Sequence, residues 1–105
     1  MTEPVAGPSG PGTVVIEVGG DIGALVLHAP AGLDGREIEI SRAGDPRARR
    51  THAQVRRRQM ADATMYAAVY PNLSAGTYTI WTGEQNPAAT VVITGGQITT
   101  CGWPT

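Results

Sequence analysis

The stretch YPNLSAGTYTIW, Tyr70–Trp81, is half turn and half strand. Pro71, Asn72, Ser74 and Gly76 are turn-forming residue types, and Thr77–Trp81 is rich in the β-branched and aromatic residues that strands favour. Leu73, Gly76 and Tyr78 set the pattern L-x-x-G-x-Y. In a β-sandwich a leucine just ahead of such a strand plugs the end of the core, and a small residue lets the chain turn a corner. A tyrosine near the strand start then sends its hydroxyl back to an upstream backbone group. The stretch therefore predicts a β-sandwich, with Tyr70–Trp81 as one of its corners.

Working outward, a period of two runs along the chain from Gly12 and is broken by Gly, Pro, Asp and Asn every eight to twelve residues. That spacing reads as a sandwich or barrel rather than βαβ units. The expected strands are 13–18, 24–29, 36–41, 51–58, 64–70, 77–81, 89–94 and 97–103. The fold class is all-β: a single antiparallel sandwich of seven or eight short strands, immunoglobulin- or transthyretin-like, spanning residues 12–105. Residues 1–11, with three prolines and two glycines, are expected to be a disordered tail. Gly95-Gly96 between two alternating runs predicts a two-residue hairpin with positive φ at both positions. VGGDIGA is expected to turn the chain between the first two strands, and Asp45-Pro46 to open a type I turn. The segment ARRTHAQVRRRQMADA holds good helix formers, yet Val55 is its one large aliphatic residue, so a helix there has nothing to bury.

The 105 residues carry a net charge of −1 and hold 14 Gly and 8 Pro, a turn-rich composition suited to one all-β domain. A chain of this size buries roughly 60–65% of its unfolded surface, which leaves little room for a deep cleft. Cys101 is the single cysteine, so neither an internal disulfide nor a thiolate metal cluster is expected. The opening MTEPVAGPSGPG lacks an apolar stretch of signal-peptide type. No apolar run approaches the ~20 residues of a membrane helix. The expected location is the cytoplasm, with no membrane partner.

The residues YPNLSAGTYTIW, followed by AATVVITGGQI, resemble the closing half of carboxypeptidase-regulatory-like, transthyretin-like (prealbumin-like) domains. Such domains read as an apolar strand, L-x-x-G-x-Y-x-apolar, a turn, then V-x-V-x-x-G. The resemblance covers about residues 64–98. It implies a β-sandwich acting as a non-catalytic interaction or stabilising module beside another protein. The whole chain is also similar to short bacterial proteins from high-GC genomes, some labelled "phospholipase". The residues do not support that label, because two histidines are too few for a zinc phospholipase site.

Catalytic chemistry has few carriers. The histidines are His28 and His52, the serines Ser9, Ser41 and Ser74, and no nucleophile elbow, H-E-x-x-H or phosphate loop is present. GGDIG joins two strands and opens no helix, so its glycines do not make a phosphate cradle. No catalytic residue, cofactor or metal is expected. Met60 and Met65 read as core filler rather than, with His52, a soft metal site.

Six of the eight arginines fall between Arg47 and Arg58. With strand 51–58 paired to 36–41 in a hairpin, Ile38, Ile40, Ala53 and Val55 face the core. Glu37 and Glu39 then stand opposite Arg56 or Arg58, and Ser41 lies near His52, a cross-strand charge ladder. Arg47, Arg49 and Arg50 have only Asp45 beside them and are suited to bidentate anion contacts. Arg47, Arg49, Arg50, Arg56, Arg58 and His52 are thus the candidate anion or partner contacts. The net charge and the lack of aromatic residues among these arginines argue against nucleic acid. A protein partner of unknown identity is expected, with a homodimer through a sheet edge as one form; TVVIEV, broken only by Glu17, is the edge singled out. Among Tyr66, Tyr70, Trp81 and Trp103, any that lies outside the core marks an interaction surface.

Overall fold

The computed structural model describes residues 16–45, 47–59, 61–83 and 86–104. Within them the chain forms β1 Ile22–Ala29, β2 Glu37–Arg42, β3 Thr51–Gln54, β4 Arg56–Gln59, β5 Thr64–Ser74, β6 Gly76–Trp81, β7 Pro87–Ile93 and β8 Ile98–Gly102. The one helical element among them is a single 3₁₀ turn, Ala31–Leu33. Sheet 1 has the strand order β4-β5-β1-β8 and sheet 2 the order β3-β2-β6-β7. The all-β sandwich is observed. Neighbouring strands are antiparallel except β1 and β8, which run parallel.

The core lies between the sheets. Leu25, Leu27, Ala68, Tyr70 and Leu73 enter it from sheet 1 and Ile38, Ile40, Tyr78, Ile80 and Ile93 from sheet 2. Tyr70 also crosses it, donating its hydroxyl to the Ile38 carbonyl at 2.7 Å. Val55 is fully buried at the side of the core.

The stretch Tyr70–Trp81 carries the chain from sheet 1 to sheet 2. β5 continues through Ser74 with an irregular register against β1, Gly23 facing Leu73 and Leu25 facing Tyr70. The extra residue is absorbed beside Asn72, whose φ of +61° is a left-handed conformation that asparagine tolerates. Leu73 is buried in the core. Gly76 turns with φ +148°, a region open essentially to glycine. The Tyr78 hydroxyl then donates to the Ser74 carbonyl at 2.7 Å. All three parts of the corner stand where the sequence puts them.

Three expectations are corrected. The strand expected at 51–58 is two strands in different sheets. Val55 closes the β2–β3 ladder, donating to the Arg36 carbonyl and accepting from Gly35 N–H at 2.8 Å each. The chain then passes into sheet 1, where β4 pairs with β5. Gly95-Gly96 is not a two-residue hairpin, because β7 and β8 lie in different sheets and, of the two, only Gly96 has positive φ. The turn instead locks onto the start of β1. Gly96 N–H donates to the Ile22 carbonyl at 2.9 Å, and a Cβ on Gly95 would collide with the Gly20 carbonyl.

The third correction concerns TVVIEV. The expected tail over 1–11 and residues 13–15 lie outside the described residues, and Ile16, Glu17 and Val18 belong to no strand. Both sides of β1 are already taken, by β5 and β8, so an approaching segment finds no free side there. The turn after it does form: Gly19 and Ile22 exchange backbone hydrogen bonds of 3.0 and 2.9 Å.

Candidate functional site

The arginine cluster does not make the expected ladder. Arg56 and Arg58 stand across from Ala67 and Met65 of β5, in the sheet that does not contain Glu37 and Glu39. Those carboxylates have other partners. Arg50 donates to Glu39 Oε1 at 2.8 Å, and His52 Nδ1 lies 3.3 Å from Glu37 Oε1. The cause is the crossing at Val55, which ends β3 before the strand arginines begin. Ser41 is not beside His52 either. It is buried, and its Oγ accepts from Trp81 Nε1 at 2.9 Å.

Arg50 therefore has more than Asp45 for company. Its guanidinium carbon lies 3.9 Å over the Trp81 ring, a cation–π stack. Asp45 serves the turn instead, its Oδ1 accepting from Arg47 N–H at 2.9 Å. Arg47, Arg49, Arg56 and Arg57 are exposed. Trp81 and Trp103 are only half-buried and, with Leu33, Arg36, Glu37 and Glu39, border an open cleft of about 300 Å³. The cleft opens where β2 loses its neighbour, beyond the last β2–β6 pair, Glu39 with Trp81.

The groups able to do chemistry are dispersed. His52 is exposed on the outward face of sheet 2 and His28 is half-buried on the outward face of sheet 1. Cys101 packs against the core from β8, and burial pushes its thiol pKa up, which makes it a poorer nucleophile at neutral pH. Among the described residues no three His, Cys, Asp or Glu side chains group to hold a metal ion. Met60 lies outside the described residues. No helix among those residues is long and apolar enough to cross a membrane.

The two outward faces differ in kind. Strand alternation and register give sheet 2 an outward face of His52, Gln54, Glu37, Glu39, Trp81, Thr79 and Thr90. That is the usual polar cover of an antiparallel sheet. On sheet 1 the outward residues are Met65, Ala67 and Val69 of β5, paired across to His28 and Val26 of β1, with Ala24 beside Ile98 of β8. Arg56 and Arg58 form its rim. Arg58 lays a guanidinium against the Ala67 carbonyl at 3.4 Å; burial, and next the Arg56 charge, lowers its pKa. Val26, Val69 and Met65 are half-buried, whereas Ala24 and Ala67 beside them are buried; none of the five belongs to the core cluster.

This face was missed in the sequence, although a signal was there. ALVL in β1 and AAV in β5 are continuous apolar runs rather than alternating ones. A continuous run is the mark of a strand covered on both faces.

No protein-family model, curated protein or solved structure matches the chain.

Proposed function

We propose that the protein is a non-catalytic interaction module, acting in the cytoplasm, that seats a protein partner on the outward face of sheet 1. The observation that supports this is the apolar character of β1 and β5 on both faces. Among the described residues the core cluster takes only one of them; on the other, Ala24 and Ala67 are buried while Val26, Val69 and Met65 keep partial exposure. Covering Val26, Val69 and Met65 is favourable by about 25 cal/mol per Å² of apolar surface removed from water. Arg56, exposed on the rim, favours a partner whose apolar centre is flanked by a carboxylate, since guanidinium pairs with this bidentately. The alternative, an anion site in the arginine loop, keeps Arg47 and Arg49 but has to compete with Glu39 and Trp81 for Arg50.

The isolated domain offers a direct test. An apolar fluorescent dye should bind it while its circular dichroism stays native. The near-isosteric pair Val26→Thr and Val69→Thr should abolish that binding and leave the fold in place. Dye binding that is absent, or that survives the double substitution, removes the basis for the reading.

A further inference from the structure

A different surface carries a second association. We propose that two copies of this chain pair β7 with β7 about a twofold axis, joining two copies of sheet 2 into one continuous sheet. This does not rest on the docking face of sheet 1, which β7 does not touch.

β7 is an edge strand with β6 on one side. Along its other side, alternate backbone N–H and C=O groups have no strand to meet among the described residues. Such an edge is a template for another strand unless it is blunted by charge, proline or a bulge. From Pro87 to Gly102 the sequence has no charged side chain. The two exposed large hydrophobic residues, Val92 at 61% and Ile98 at 49%, both fall in this uncharged side of the sandwich.

The other edges differ. β4 carries Arg56, Arg57 and Arg58, and β3 carries His52 and follows Arg49 and Arg50. Pairing either edge with its own copy would bring these like charges near one another across the seam, an unfavourable arrangement. β8 is uncharged but has five residues against seven in β7, and it ends in glycine, which weakens strands. Self-pairing is therefore least opposed at β7.

The register follows from the pleat. A twofold centred on Thr90 sets Thr90 against its symmetry mate and Ala89 against Val91 of the second copy, in the part of β7 that pairs regularly with β6. The register breaks at Ala88, between Ala89 and Pro87, so Val92 meets the irregular end of the strand. The five regular residues, Ala89–Ile93, give a contact of about 17 Å at ~3.3 Å per residue. Pro87, which lacks a donor, stands at the first position of the strand, where it affects only the last rung.

Sedimentation equilibrium of the full chain, up to about 1 mM, tests this. The expected result is a monomer–dimer equilibrium. Val92→Arg and Thr90→Arg should each raise the dimer dissociation constant by at least about tenfold, while Ile98→Arg and Arg56→Glu leave it unchanged. Thermal melts of the variants verify that they are folded; both substituted residues are exposed, so the fold should survive. A chain that stays monomeric throughout overturns the proposal. So does a dimer indifferent to Val92→Arg and Thr90→Arg, or one broken by Ile98→Arg alone, which would place the contact on β8.

Discussion

Arg50 and Trp81 form a stacked pair, with the guanidinium carbon 3.9 Å from the ring, and Glu39 accepts from the same guanidinium at 2.8 Å. Glu39 and Trp81 face each other across β2 and β6, so Arg50 fastens the loop before β3 onto sheet 2. The pair with Glu39 is partly solvent-exposed and should contribute only a few tenths of a kcal/mol to about 1 kcal/mol. The stack should contribute about 0.5–1 kcal/mol. Double-mutant cycles on urea midpoints should find Arg50 coupled to both residues. The Glu39 coupling should fade in high salt and the Trp81 coupling should persist. Arg50→Lys should not restore the stack, since lysine lacks the planar fork.

The corner makes a second prediction. Tyr78→Phe removes the hydroxyl that donates to Ser74 at 2.7 Å and lies 3.3 Å from Arg42 Nη1. The cost should be about 1–2 kcal/mol, that of a lost, largely shielded hydrogen bond. Gly76→Ala should cost about 1–3 kcal/mol, the range for a residue forced into a disfavoured backbone region, because φ is +148° there. The new Cβ would also sit 2.7 Å from the Arg42 guanidinium. That contact alone is soft, since the arginine tip can swing away. Equal midpoints for wild type and Gly76→Ala would show that the turn does not need glycine.

Tyr70 sets the alkaline limit. Burial above all, then the nearby Cys101 and Glu39 charges, raises its pKa well beyond the ordinary tyrosine value. In the unfolded chain the phenol ionises near pH 10. Above that pH the unfolded state sheds a proton that the fold retains, so stability is intact below about pH 10 and falls as pH rises further. In Tyr70→Phe that share of the pH dependence should vanish, at a cost of about 1–3 kcal/mol for leaving the buried Ile38 carbonyl without its donor. Urea titrations between neutral pH and pH 11 measure both effects. A Tyr70→Phe curve parallel to wild type would mean that the buried phenol is not what titrates.

The arginine loop makes a negative prediction. Sulfate should raise the melting temperature of wild type no more than that of Arg47→Ala with Arg49→Ala, since Arg50 is held by Glu39 and Trp81. A rise specific to wild type would restore the anion site.

What the sequence discloses is mostly local. Leu73, Gly76 and Tyr78 act within a few residues of one another, and so the corner was readable. The core parity of Ile38, Ile40, Ala53 and Val55 was readable for the same reason, since alternation fixes it. The partner of each strand was not. Nothing in THAQVRRR announces that Val55 ends one sheet and Arg56 begins another, because both halves keep the same period. TGGQ has hairpin chemistry, yet it links two sheets, because β8 takes the free side of β1 in parallel. The docking face was half-legible: ALVL shows that β1 is apolar on both sides, but only the register shows that Val69 and Ala67 extend the same patch.

The central claim is that the outward face of sheet 1 seats another protein, and site-specific photocross-linking in cells that make this chain natively tests it most directly. A photoreactive residue at Val69, paired with Val26 on that face, should capture one protein of defined mass. The same residue at Thr79, on the polar face of sheet 2, should not. Capture from Val69 should weaken when Arg56 on the rim becomes Glu. No capture from Val69, the same products from both positions, or a product of only twice the chain's own mass would contradict the account.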